Sequence, residues 1–129
     1  TVNKQTGEFT VDKLYAAIDV GQAVNPQGVV AQVTGGLLWG LSGATLEEVG
    51  FENGRIQASN FDGYTPARME DAPEIDVTVI ESGNYPVGCG EPGLSVVAPA
   101  IANAIHSVTG ARVRSLPITA ANVKAAMET

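Results

Sequence analysis

Glu91 is the side chain in this sequence whose surroundings most favour chemistry. It lies in a glycine- and proline-rich stretch, Gly88 to Gly93, ahead of a small apolar run that predicts a helix from about Pro99. Glycine permits close approach, whereas proline fixes its own φ and restricts the residue before it, so the backbone at Glu91 is constrained. A carboxylate held against the closed end of an apolar cavity would be a good general base. The alternative is that Glu91 caps the following helix or faces water.

Gln32 is a second candidate because its amide can both donate and accept hydrogen bonds within an otherwise apolar stretch. The same predicted helix contains Gly35, Gly36, Gly40 and Gly43. Each glycine costs about 1 kcal/mol relative to alanine inside an exposed helix. We therefore expect something to approach this helix closely. A neighbouring helix or sheet would explain the glycines, and so would a cofactor running alongside.

Composition limits the classes of function. The chain has 129 residues, 44% of them hydrophobic, which allows one domain with a core but not a large enzyme by itself. Its formal net charge of -7 argues against a nucleic-acid partner or an anionic membrane surface. Cys89 is the only cysteine and His106 the only histidine, so the chain predicts neither an internal disulfide nor a Cys/His metal site. No apolar run is long enough to span a bilayer.

Apolar periodicity predicts two longer strands and a central helix. The strands are residues 9–20, with a bulge near Asp12, and residues 74–81, whose alternation is the cleanest in the chain. The helix runs from Pro26 to Ala44 and is apolar around nearly its whole circumference, so we expect it to be buried on most sides.

Turn and cap residues predict the remaining elements. Residues 47–50 and 51–59 are predicted as two short strands. A hairpin turn is predicted at Asn53-Gly54, within the second range, and an irregular loop follows to Pro73. The helix from Pro99 should end at Gly110, and a last helix should span residues 119–127. The predicted fold is α+β: a small mixed β-sheet with the two main helices packed on one face. Residues 1–129 form a single domain or a domain fragment.

Three segments, taken together, carry a family resemblance: Ile18-Asp19-Val20-Gly21, then Gln32-Val33-Thr34-Gly35-Gly36, then Gly90-Glu91-Pro92-Gly93. In this order they resemble the carboxyl end of molybdenum hydroxylase large subunits, the xanthine dehydrogenase and aldehyde oxidase family. The most similar type is the isoquinoline 1-oxidoreductase β-subunit, which has similar Asn-Phe-Asp-Gly-Tyr and Arg-Met segments. The resemblance covers residues 7–118 and implies the carboxyl-terminal part of a molybdopterin-binding domain.

The resemblance implies a role for each candidate residue. Glu91 matches the glutamate that removes the proton from a molybdenum-bound hydroxyl while an aldehyde or N-heterocyclic aromatic is oxidised with water-derived oxygen. Gln32 matches the glutamine that hydrogen-bonds the pterin. Gly35 and Gly36 would leave room for the cofactor, and Gly90 borders the same site. The implied cofactor is molybdopterin, the molybdenum cofactor, in its cytosine dinucleotide form.

Further partners follow from what this chain lacks. Subunits of the family are several hundred residues long, so the resemblance implies that the remaining large-subunit polypeptide is needed for activity. It also implies an iron-sulfur electron-transfer subunit, because Cys89 alone cannot ligate a cluster. Exported relatives favour a periplasmic location, and the compartment is otherwise left open.

Two other classes of function compete with this interpretation. The chain could be a non-catalytic assembly module whose glycine-rich helix packs on a partner subunit. It could also be an anion- or nucleotide-binding domain at a helix start, which is disfavoured because residues 88–98 contain no lysine or arginine.

Overall fold

A parallel pair of strands lies at one side of the computed structural model, which describes residues 1–128. Strand β1 (Lys13–Asp19) pairs with β4 (Glu74–Ile80), in a register that sets Lys13 opposite Glu74 and Asp19 opposite Ile80. Alternate side chains of both strands are half-buried and their neighbours are exposed, as expected for a sheet covered on one face. Strand β1 is shorter than the predicted residues 9–20, because Phe9 forms an isolated bridge with Val2 instead.

Helix α1 (Pro26–Thr45) confirms the predicted central helix. Its first turn is fixed by Asn25, whose side-chain oxygen accepts a 3.1 Å hydrogen bond from the Gly28 amide, and by a proline at the first helical position. The prediction that α1 is buried on most sides is wrong for the described chain. Trp39 is 67% exposed, so one face of α1 packs into the core and the other is uncovered.

Two helices follow the glycine-rich stretch, where the sequence predicted one. A single helical turn, α2 (Pro92–Ser95), comes first, and α3 (Val97–Thr109) follows. The predicted start at Pro99 is therefore too late, because proline fits within the first turn of a helix, where backbone amides have no helical partner. The predicted end is confirmed: Gly110 has φ +78° and donates a 2.8 Å hydrogen bond to the His106 carbonyl.

Helix α4 (Ala120–Met127) closes the core. Its N-cap is Thr119, whose hydroxyl oxygen accepts from the Asn122 amide at 3.2 Å, as predicted. Val123 on this helix is fully buried. The core cluster joins α1, α3 and α4 and consists of Val33, Leu37, Leu41, Ala44, Val97, Ile101, Ile105, Ile118 and Val123.

The segment between α1 and β4 contains a short hairpin and a long loop. Strands β2 (Phe51–Glu52) and β3 (Arg55–Ile56) are antiparallel, and both turn residues have positive φ, +51° at Asn53 and +77° at Gly54. This confirms the Asn-Gly turn. The predicted strand at residues 47–50 does not form. Two 3₁₀ turns, Phe61–Gly63 and Met69–Asp71, lie in the loop.

The α+β class is therefore confirmed, with the parallel pair and the hairpin as two separate small sheets. Within residues 1–128, no helix has the length and apolar character that crossing a bilayer requires.

Candidate functional site

The two sequence-predicted centres, helix α1 and the loop that carries Glu91, meet in the structure. The Gln32 side-chain nitrogen donates a 3.2 Å hydrogen bond to the carbonyl oxygen of Gly90. Gly90 immediately precedes Glu91, so this bond connects the candidate pterin-binding amide to the backbone of the candidate base. Both side chains are exposed in the described chain.

Of the four glycines between positions 35 and 43 of α1, two pack against protein. A Cβ atom on Gly36 would lie 3.4 Å from the Leu94 nitrogen, and one on Gly40 would lie 2.6 Å from the Leu94 oxygen. On the opposing side, a Cβ on Gly93 would lie 3.0 Å from the Val33 oxygen. These distances show that the backbones of α1 and α2 are nearly in contact. Close helix packing thus accounts for Gly36 and Gly40, and the role predicted for Gly36 beside a cofactor stays a prediction.

The other two glycines have open space. A Cβ on Gly35 or on Gly43 would meet no heavy atom within 4 Å. Gly35 follows Gln32 by three positions and precedes Trp39 by four, so all three lie along one side of α1, and all three are exposed. This uncovered stripe, Gln32, Gly35 and Trp39, is the surface of α1 that could accept a ligand or further polypeptide.

Glu91 occupies the N-cap position of α2, and its side chain makes no capping hydrogen bond. The side chain is exposed, so the expectation that it faces the closed end of a cavity is wrong for this chain on its own. Of the two alternatives drawn from the sequence, exposure to water describes its position here. The reason is physical: residues 81–91 are all exposed except the half-buried Cys89, so no described element covers this loop and excludes water.

Asp19 holds the beginning of this loop, and sequence reasoning gave it no site role. Its Oδ1 atom accepts hydrogen bonds from the Gly21 amide at 2.8 Å and from the Ser82 hydroxyl at 2.7 Å. These hydrogen bonds, the one from the Gly21 amide most and the one from Ser82 next, hold the pKa of the Asp19 carboxyl below its usual value. The Asp-Val-Gly sequence at a strand end is a turn signal that could have indicated this contact.

A second polar network lies beside Trp39. Ser42, which is 5% exposed, donates to Glu47, and the Tyr64 hydroxyl donates to the other oxygen of the same carboxylate. The Ser42 oxygen accepts a 2.8 Å bond from the Ala67 amide. The bond to Glu47 raises the pKa of Tyr64 above its usual value. This network anchors the long loop on α1 and borders an open cavity of about 600 Å³ lined in part by Trp39.

The titratable side chains do not gather into a metal centre. Among residues 1–128, no group of three or more histidine, cysteine, aspartate or glutamate side chains could hold a metal ion. Any metal at this site would be held by a cofactor or by other polypeptide.

Comparison with known proteins assigns a domain type to this arrangement. The family model described as molybdopterin cofactor-binding domain matches residues 1–73. A curated relative, the membrane-bound aldehyde dehydrogenase (pyrroloquinoline-quinone) of Gluconacetobacter polyoxogenes, is 43% identical over 122 residues, which cover 95% of this chain and 16% of the relative. Isoquinoline 1-oxidoreductase subunit beta of Brevundimonas diminuta is 39% identical over 116 residues, 90% of this chain and 15% of the relative.

Solved structures share the fold. The aldehyde oxidoreductase of Desulfovibrio desulfuricans ATCC 27774 superposes with a TM-score of 0.83 at 31% identity, over 98% of this chain and 14% of that one. Quinoline 2-oxidoreductase of Pseudomonas putida 86 superposes with a TM-score of 0.87 over 98% of this chain and 17% of that one, and at 21% identity it supports the fold alone. The chain thus spans about a sixth of the length of these curated relatives.

Proposed function

The chain belongs to the molybdopterin cofactor-binding domain family of the molybdenum hydroxylases, and from that premise we propose that it supplies a general base and one wall of a cofactor cavity. The proposed enzyme is a molybdenum-dependent oxidoreductase that oxidises aldehydes or N-heterocyclic aromatics with water-derived oxygen. It acts only together with the remaining polypeptide, since the chain spans about a sixth of its curated relatives.

The contact between Gln32 and Gly90 carries the proposal. It brings together two segments that are 58 positions apart and that, by resemblance, serve the cofactor and the base. An assembly surface would not require a polar side chain on α1 to bond the backbone next to an uncapped, exposed carboxylate. A site that must act on one bound molecule requires both groups at one place.

The exposed stripe on α1 fits a pterin. The bond to Gly90 uses the nitrogen of the Gln32 amide, which leaves its oxygen to accept from a pterin N–H. Gly35 presents bare helix backbone there, so a flat ring can approach closely. Gln32, Gly35 and Gly90 are therefore proposed as cofactor-binding residues, with Gly36 behind them supporting the packing of α2. The cytosine dinucleotide form of the cofactor and an iron-sulfur partner subunit belong to the same proposal.

The bound cofactor would supply the two-electron oxidation that protein side chains cannot perform. The role of Glu91 is to hold a proton: its carboxylate accepts one from the water-derived nucleophile and later releases it to solvent. Polypeptide covering the exposed side of the loop would exclude water and make the carboxylate a stronger base. The constrained backbone between Gly90 and Pro92 keeps the carboxylate in one place.

The test is Glu91→Gln in the assembled enzyme, beside Glu81→Gln as a matched control at an exposed site. We expect turnover to fall by about 10²- to 10⁴-fold in Glu91→Gln, as for the loss of a general base, while molybdenum and pterin contents stay at the wild-type level. The control should retain full turnover.

Three results would reject the proposal. Normal turnover in Glu91→Gln would show that Glu91 is not the general base. An enzyme free of molybdenum and pterin would leave the chain as an assembly module. Pyrroloquinoline quinone in place of molybdopterin would transfer the chemistry to another cofactor.

A further inference from the structure

The loop of residues 81–91 has no helix or strand, yet it must present Glu91 at a fixed position. Its last part is glycine-rich, and a Cβ on Gly88 or Gly90 would meet nothing within 4 Å. Packing of the described chain therefore does not hold these two positions. Glu91 is followed by α2, which packs on α1, so on its other side its place depends on the hydrogen bonds that hold the loop.

One anchor is the hydrogen bond from Gln32 to Gly90, described above. The other lies at the end of β1, where a single carboxylate oxygen of Asp19 accepts from both the Gly21 amide and the Ser82 hydroxyl. Hydrogen bonds to an ionised acceptor are about twice as strong as neutral ones. The Ser82 oxygen in turn accepts from the Asn84 amide at 3.3 Å, so the carboxylate orders the turn that begins the loop.

Backbone bonds extend this anchor along the loop. The Gln22 amide donates to the Asn84 carbonyl at 3.0 Å, and the Val87 amide donates to the Val20 carbonyl at 2.9 Å. Gly21 has φ +69°, and a Cβ there would lie 2.2 Å from the Tyr85 oxygen. The backbone after β1 and the loop are thus in direct contact, in a conformation that Asp19 stabilises by binding the Gly21 amide.

We infer that Asp19 is a positioning residue for Glu91: it fixes residues 82–87 on the end of β1, so that the glycine-rich segment places the base beside Gln32. This inference rests on the proposed function, because it names what holds the base of that reaction. Asp19 itself does not contact the cofactor in this assignment. It acts through Ser82 and the two backbone bonds.

The test compares Asp19→Ala with Asp19→Asn in the assembled enzyme, and Ser82→Ala with Ser82→Thr. Alanine removes the acceptor or the donor, whereas asparagine and threonine keep an oxygen able to make the same bonds. Because a displacement of about 1 Å can cost about 10²-fold in rate, we expect kcat to fall at least about tenfold in both alanine variants. Asparagine and threonine should restore most of it, and KM and molybdenum content should stay unchanged. Asp76→Ala, on the exposed face of β4, is the control.

Hydrogen exchange at the Gln22 and Val87 amides reports the anchor directly, because these two amides donate the backbone bonds. Both should exchange faster in Asp19→Ala and at the wild-type rate in the control. Unchanged exchange would overturn the anchor. Faster exchange with unchanged kcat, in an enzyme that Glu91→Gln inactivates, would overturn the positioning role while leaving the proposed function intact. Full activity of Glu91→Gln would instead reject the proposed function, and the exchange rates would still decide whether Asp19 holds the loop.

Discussion

Gln32 donates a hydrogen bond from its side-chain amide to the carbonyl oxygen of Gly90, at 3.2 Å and across 58 positions of the chain. This bond crosses from a helix to an irregular loop, and both ends are exposed. It gives one side chain two uses in the proposed site, since its nitrogen holds the loop and its oxygen is left to the cofactor.

Gln32→Ala should therefore lower both cofactor content and turnover, whereas Glu91→Gln lowers turnover alone. One net hydrogen bond is worth about 1 kcal/mol, which corresponds to about a five- to tenfold loss of cofactor affinity. Molybdenum and pterin analysis of the purified enzyme measures it. Gln27→Ala, on the exposed first turn of α1, is the matched control and should retain full content. Full cofactor content in Gln32→Ala would contradict the assignment of its oxygen.

Gly40→Ala and Gly43→Ala should have opposite effects on stability. A Cβ on Gly40 would lie 2.6 Å from the Leu94 oxygen and 2.7 Å from a Val97 methyl carbon, so the substitution forces α2 and α3 away from α1. Overpacking of this kind costs about 1–3 kcal/mol. Gly43 has open space, so alanine there should stabilise the helix by up to about 1 kcal/mol. Denaturation midpoints of the two variants decide it, and equal midpoints would contradict the observed packing.

Gly35→Leu should not lower stability, and it should lower cofactor content. The position is exposed, with nothing within 4 Å of a Cβ, so a larger side chain meets no described residue. In the proposed site the same side chain would occupy the space of the pterin. Gly43→Leu is matched in exposure and helix, and it lies two helical turns away. If Gly35→Leu binds as much cofactor as the wild-type enzyme, the pterin does not run along this stripe.

The wild-type protein should lose stability at high pH, and the Tyr64→Phe variant should lack this loss. The bond from the Tyr64 hydroxyl to Glu47 raises the pKa of Tyr64 above its usual value of 10.0. A group whose pKa is raised on folding contributes stability below its unfolded pKa, and that contribution is lost as the pH rises through the folded pKa. The wild-type protein should therefore be more stable than Tyr64→Phe up to about pH 9, and the difference should shrink above pH 10.

Thermal unfolding midpoints of both proteins between neutral pH and about pH 11 measure this difference. Tyr85→Phe, at a 91% exposed tyrosine, serves as the control and should follow the wild-type curve. If the difference in unfolding midpoint between wild type and Tyr64→Phe stays constant across the range, folding does not raise the pKa of Tyr64.

Local signals in the sequence predicted most of the elements. The start of α1 at Asn25-Pro26, the hairpin turn at Asn53-Gly54, the end of α3 at Gly110 and the cap at Thr119 were all identified correctly. Each depends on the backbone preferences of one residue or on a hydrogen bond to a near neighbour, and such interactions are encoded within a few positions. The same is true of the alternation in β4.

Contacts between distant segments were decided by the tertiary structure alone. The sequence presented four similar glycines between positions 35 and 43 of α1. Only the approach of α2 and α3 separates Gly36 and Gly40, which pack against protein, from Gly35 and Gly43, which face open space. The role of Asp19 depends on Ser82, 63 positions away. Which face of a helix is covered, and which carboxylate holds a distant loop, are set by how the elements pack, and that information is not carried by any local run of residues.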